Sequence, residues 1–174
     1  MEKIYITGIA GMLGSNLAYN LSSKYIITGA DSTSVAMRGI VTNVYNMLDY
    51  KELKRNLTNE RPNFLIHTVA LVSVDGCEEN PEAAYMLNTD LTREISEICA
   101  EQHIKMIYIS TDAVFDGKDE KLYIEDDEVR PVNIYGKSKY EGEKFVINNI
   151  TSLGQQSLLV CPYPVEQTEF YHDM

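Results

Sequence analysis

Short apolar runs alternate along this chain with stretches whose apolar residues recur every three or four positions. Ile4-Tyr5-Ile6 reads as a buried strand, and Leu13, Leu17 and Leu21 then mark one stripe of a helix. Residues 25–28 form a second strand, closed by Gly29-Ala30-Asp31, and residues 41–45 a third, ending before Leu48-Asp49. Residues 50–56 read as helix, and Arg61-Pro62 stops it. Phe64 to Thr68 is the fourth strand. Pro81 opens a long helix, in a first turn where a missing N–H is harmless, and Leu87, Leu91, Ile95 and Ile98 carry its apolar stripe to about Glu101. Ile104 to Ile109 is the fifth strand, residues 117–131 an acidic loop, residues 135–148 another helix and residues 157–160 a sixth strand. Strands separated by helices of this length pair in parallel through right-handed crossovers. The pattern therefore predicts an α/β fold, a Rossmann-like doubly wound parallel sheet of order 3-2-1-4-5-6, over residues 1–162, with an irregular tail at 163–174. The sixth strand is expected at a sheet edge, where unpaired backbone invites association and a homodimer.

Composition narrows the function classes. A chain of 174 residues fits one domain with its own core. The net charge of -11 and isoelectric point near 4.7 argue against nucleic acid and anionic membranes as partners. Cys77, Cys99 and Cys161 are odd in number and scattered, which reads as reduced thiols in a cytoplasmic protein. The first strand begins near Lys3, which argues against a signal peptide, and no apolar run reaches spanning length. No metal site is expected: His67, His103 and His172 are dispersed, and the carboxylates from Glu125 to Glu128 read as a solvated loop.

Two distant signals carry the candidate chemistry. Gly8-Ile9-Ala10-Gly11-Met12-Leu13-Gly14 is a glycine turn between a strand and a helix. Gly8 can make the turn, Gly11 can bring backbone amides to a pyrophosphate, and Gly14 can let the helix pack on the sheet. Asp31, twenty positions beyond Gly11, can accept from a ribose 2′-hydroxyl and repel a 2′-phosphate, or it can cap the next segment. The first role favours NAD(H), with NADP(H) as the second cofactor, and Arg38 argues for the second. Asp49 is an adenine contact or a solvated loop acid. Tyr135 and Lys139 sit four residues apart in a helix, where an ammonium beside a phenol favours the phenolate. Ser110-Thr111-Asp112 ends the fifth strand, where a hydroxyl can reach a substrate carbonyl or cap a turn.

With these segments in place the chain resembles the extended short-chain dehydrogenase/reductase superfamily, and within it the dTDP-4-dehydrorhamnose reductase group. The resemblance runs from about residue 3 to 160. It rests on Ile66-His67-Thr68-Val69-Ala70, Val74-Asp75-Gly76-Cys77-Glu78, Pro81-Glu82-Ala83-Ala84-Tyr85, Asn88, the run from Ile109 to Gly117, and the run from Pro131 to Lys139 followed by Gly142-Glu143. It implies an enzyme of deoxysugar and cell-surface polysaccharide biosynthesis that reduces a nucleotide-linked keto-sugar with NAD(P)H. Tyr135 would give the proton, Lys139 would bind the nicotinamide ribose and lower the phenol pKa, and Thr111 would orient the carbonyl. Asn88 would hold a water or the lysine, and Ala70 would line the cofactor. Two departures stand out: Ala113 replaces the group's usual tyrosine, and Cys161-Pro162 replaces its usual Arg-Thr. Relatives run on to build a sugar-nucleotide pocket that this chain is expected largely to lack, so cofactor binding with little turnover is expected. The alternatives are a catalytically silent cofactor-binding or regulatory module and a sugar-nucleotide epimerase or dehydratase.

Overall fold

The structure, a computed structural model, describes residues 1–118, 123–124, 127–153 and 158–160, with the backbone alone at 150–153 and 158–160. Glu125, Cys161, His172 and the 163–174 tail lie outside the described residues. Six parallel strands form one sheet in the order β3-β2-β1-β4-β5-β6, as the alternation predicts. They are β1 (Lys3–Thr7), β2 (Ile26–Asp31), β3 (Val41–Val44), β4 (Phe64–His67), β5 (Lys105–Ile109) and β6 (Leu158–Val160). The central register pairs Tyr5 with Leu65 and Thr28, and Ile6 with Ile66 and Gly29.

Side chains alternate across each strand, so the sheet carries two cores. Ile4, Ile6, Ile27 and Ile66 face the helix α1 (Met12–Leu21), through Ala18. Tyr5, Leu65, Met106 and Tyr108 face the opposite layer, where α2 (Tyr50–Glu60) supplies Leu53 and Leu57. That layer also contains the short α3 (Val74–Glu79) and α4 (Pro81–Tyr85), then α5 (Leu91–Gln102) and α6 (Ile134–Leu153). Leu91, Ile95 and Ile98 of α5 are buried there.

Three local expectations change. The stripe of α1 holds in part: Leu17 and Leu21 pack against the core as expected, but Leu13 is exposed and the fully buried residues are Gly14 and Ala18, because close helix–sheet packing selects the smallest side chains. Strand β2 runs through Gly29-Ala30 to Asp31, whose backbone stays paired with β3 at Val44. The helix after Pro81 is not continuous. A π-turn at Met86–Asp90 separates α4 from α5, and it buries Asn88. The short α3, capped by Ser73, escapes the apolar pattern because it buries only Cys77.

Candidate active site at the carboxyl ends of the central strands

Strand β1 leads into Gly8, whose φ of +78° suits glycine and strains other residues. The Gly8 amide donates to the Ala30 carbonyl (2.8 Å), and the Gly11 amide donates to the Gly8 carbonyl (3.0 Å). Thr68, just past β4, donates its hydroxyl to the Thr7 carbonyl (2.8 Å) and the Gly8 carbonyl (3.3 Å), locking the turn. A Cβ on Gly14 would stand 2.2 Å from the Gly8 carbonyl oxygen, so α1 crosses the turn at a distance only glycine permits. Gly11 caps α1 without a side-chain acceptor, and no acid occupies the first turn. That leaves the first-turn amides and the positive end of the helix dipole available to an anion.

Gly11, Met12, Leu13 and Gly14 line a cleft of about 270 Å³. Its other walls are Thr68, Ala70 and Val72 after β4, Ile109 and Ser110 after β5, and Tyr135 and Lys139 of α6. The glycine turn and the Tyr–Lys pair thus meet at the carboxyl edge of the sheet, where open parallel sheets take their ligands. A wider groove of about 650 Å³, lined by Arg61, Phe64, His103 and Lys105 among others, opens at the opposite edge and contains none of the predicted residues.

Tyr135 is the second residue of α6, close to the positive helix end. Asn133 accepts from the Gly136 amide (2.7 Å), and Glu78 accepts from the Ile134 amide (2.8 Å), so both side chains fix this first turn. A Cβ on Gly136 would lie 2.2 Å from the Ala113 carbonyl oxygen, which seats α6 against the 3-10 turn at Asp112–Val114. Lys139, one turn later, is buried; its ammonium donates to the Ile109 carbonyl (2.6 Å) and lies 4.1 Å from the centre of the Tyr108 ring. Burial pulls its pKa down to about 7, and the Glu143 carboxylate opposes that shift. Glu143 is itself buried, which raises its pKa, and its carboxylate accepts a short hydrogen bond from the Ser110 hydroxyl.

The remaining candidates are placed as follows. Asp31 accepts from the Ala10 amide (3.0 Å) with one oxygen and from the Thr33 amide (3.1 Å) with the other, tying β2 to the glycine turn. Arg38 is exposed in the loop beyond. Asp49 accepts from the Glu52 amide (3.1 Å) as the cap of α2, and it is not among the cleft residues. The Asn88 side chain donates to the Leu71 carbonyl (3.1 Å) and Ser138 Oγ (3.0 Å) and accepts from the Leu71 amide (2.8 Å). It ties the chain at Leu71 to α6 through Ser138, the neighbour of Lys139. Thr111 Oγ1 accepts from the Ala113 amide (3.1 Å), capping the 3-10 turn, while Ser110 is the residue of that trio that lines the cleft. Sequence reasoning did not single out Thr68, Val72 or Glu143, and it named Ser110 only as one of the Ser110-Thr111-Asp112 trio. The residues directly after β4 and β5 were discoverable from strand ends; the burial of Glu143 was not.

His67 is buried on β4 between Thr7 Oγ1 (2.7 Å from Nδ1) and Thr92 Oγ1 (3.2 Å from Nε2). Burial, then the charge of Lys139, lowers its pKa to about 3. The folded chain therefore binds fewer protons here than the unfolded chain between about pH 3 and the ordinary histidine value of ~6.5. This contribution to stability rises with pH through that window and is lost as pH falls. Urea unfolding at pH 7 and pH 4.5 should show about 2–3 kcal/mol less acid loss in His67→Phe than in the natural chain. Equal loss in both would mean that His67 protonates readily in the fold.

Residues 1–154 match the protein family described as the RmlD substrate binding domain. A probable low-salt glycan biosynthesis reductase of Haloferax volcanii is 31% identical over 143 residues, covering 82% of this chain and 48% of that protein. Methionine adenosyltransferase 2 subunit beta of Xenopus laevis is 31% identical over 149 residues, covering 85% of this chain and 43% of that protein. The crystal structure of dTDP-4-dehydrorhamnose reductase from Bacillus anthracis in complex with NADP superimposes with a TM-score of 0.79 at 30% identity, covering 92% of this chain and 52% of that one. The chain thus spans about half the length of the relatives it matches.

Proposed function

Since the chain belongs to the RmlD substrate binding domain family, within the extended short-chain dehydrogenase/reductases, we propose that it supplies the cofactor site and proton donor for reducing a nucleotide-linked keto-sugar. The observation that carries this reading is the shared cleft: the open amides of α1 on one wall, and Tyr135 and Lys139 on the other. The donor set fits a nicotinamide dinucleotide. Gly11 and Gly14 let an anion approach the backbone, the helix end favours its charge, and Ala70, Val72 and Ile109 offer apolar surface for a ring.

A reduced nicotinamide, when bound, supplies the hydride. This chain's residues do the rest. Tyr135 gives its phenolic proton to the carbonyl oxygen of the sugar. Lys139, close to neutrality in its proton affinity, stabilises the phenolate that remains and hydrogen-bonds the ribose. Thr111, whose hydroxyl oxygen caps the adjacent turn, orients the carbonyl; Ser110 lines the cleft, but its hydroxyl proton is given to Glu143.

The reading favours NADH over NADPH, because the Asp31 carboxylate beside the glycine turn would repel a 2′-phosphate. Calorimetric titration with both cofactors tests this. NADH should bind about tenfold or more tighter, a difference of ~1.4 kcal/mol or more, and Asp31→Ser should narrow the gap. Binding of neither cofactor would remove the proposal; tighter NADPH would reverse the assignment of Asp31. The likeness to an adenosyltransferase subunit supports a second reading, a non-catalytic subunit that keeps the cleft. Cofactor binding with no Tyr135-dependent reduction of any nucleotide-linked keto-sugar would favour it.

A further inference from the structure

Lys139 sits in a pocket of neutral groups. On β5 it faces the Tyr108 ring and the Ile109 carbonyl, and its charge reaches the buried imidazole of His67 on β4. Burial holds the Tyr108 phenol protonated, and His67 stays uncharged at neutral pH. Tyr135 lies one turn back along α6 and Glu143 one turn forward. Glu143 is 5% exposed and Lys139 3%, so water screens neither. The Glu143 carboxylate is also fixed in direction, because Ser110 reaches it from the end of β5, across the α6–sheet interface.

We propose that Glu143 is a positioning residue for the Tyr135–Lys139 pair: tethered by the Ser110 hydroxyl, its carboxylate is the counter-charge that keeps Lys139 an ammonium at the cleft. A buried ammonium without a nearby anion gives up its proton. A neutral Lys139 would lose its ability to favour the phenolate. Because Ser110 also lines the cleft, the tether links the occupant of that wall to the charge on Lys139. The inference rests on the reading that Tyr135 and Lys139 form the acid–base pair, and it adds a third and a fourth member behind them.

The test is a pH titration of the Lys139 side-chain nitrogen by lysine-selective NMR in the 174-residue chain. E143Q keeps the side-chain shape and an acceptor for Ser110. Its Lys139 midpoint should fall by about one pH unit or more, a tenfold loss of proton affinity. E143D should restore most of that shift. S110A, which leaves the carboxylate but removes its tether, should move the midpoint in the same direction by less. The pH at which NADH affinity changes should move with the midpoint in E143Q. A natively folded E143Q or S110A with an unmoved Lys139 midpoint would overturn the proposal. The titration needs no cofactor, so a wild-type chain that binds neither NADH nor NADPH would sink the oxidoreductase reading while leaving the Lys139 midpoint readable.

Discussion

Tyr135→Phe, in a longer protein that carries a carboxyl-terminal substrate region appended to this chain, is expected to lower kcat for reduction of a dTDP-linked 4-keto-sugar by about two or more orders of magnitude, the usual worth of a positioned acid. Affinity for NADH should stay within about twofold (~0.4 kcal/mol), because the change removes one hydroxyl and keeps the ring that packs in the cleft. The first turn of α6 is held by Asn133, by Glu78 and by the contact of Gly136 with Ala113, none of which uses the phenol oxygen. The variant should therefore fold as the natural chain does. Lys139→Met should behave differently, weakening cofactor binding as well as kcat, since in the proposed reading that side chain would serve both the ribose and the phenol. Stopped-flow absorbance at the NADH band, with calorimetry for affinity, separates the two effects. A fully active Tyr135→Phe would remove the acid assignment.

Gly14→Ala is expected to cost about 3 kcal/mol of stability, at the upper end of overpacking effects, and to abolish measurable cofactor binding. The added methyl would meet three backbone atoms: the Gly8 carbonyl oxygen at 2.2 Å, the Gly8 carbonyl carbon at 2.9 Å and Ile9 Cα at 2.9 Å. Backbone cannot swing aside as a side-chain end can, so α1 must lift from the sheet. Gly11→Ala provides the contrast, because its methyl would meet only the Gly8 oxygen, at 3.2 Å. That variant should fold with little loss, about 1 kcal/mol or less, while Gly11→Val should lose the dinucleotide because its branches project into the pyrophosphate's space. Urea unfolding and calorimetry on the three variants decide the matter. A stable, cofactor-binding Gly14→Ala would show that the turn is far softer than its geometry implies.

The architecture was legible because it is written in local periodicity. Ile4-Tyr5-Ile6 and Phe64-Leu65-Ile66 are continuous apolar runs of strand length, buried on both faces, and Leu91, Ile95 and Ile98 recur with the period of a helix. Parallel connectivity then leaves few arrangements of the sheet. The glycine turn was legible for a related reason: Gly8 and Gly14 are required by backbone geometry within seven residues of each other. Asp31 and Asp49 were harder. Both were read as acids after strands, although Asp31 is the last residue of β2, and a carboxylate at such a place caps a turn as readily as it holds a ligand. Asp49 caps α2, and Asp31 ties the glycine turn to β2.

The sequence by itself determined the fold class, the strand order, the glycine turn and the placing of Tyr135 and Lys139 one turn apart on a single helix, because each follows from local patterns in the chain. Only the tertiary structure decided that Asn88 clamps Leu71 to α6, that Ser110 rather than Thr111 faces the cleft, and that Glu143 stands behind Lys139. These facts depend on how α6 docks over β5 and the π-turn. Docking is set by long-range packing, and by the desolvation that makes a buried charge seek a partner. No periodicity in the chain records which polar side chains that packing will enclose.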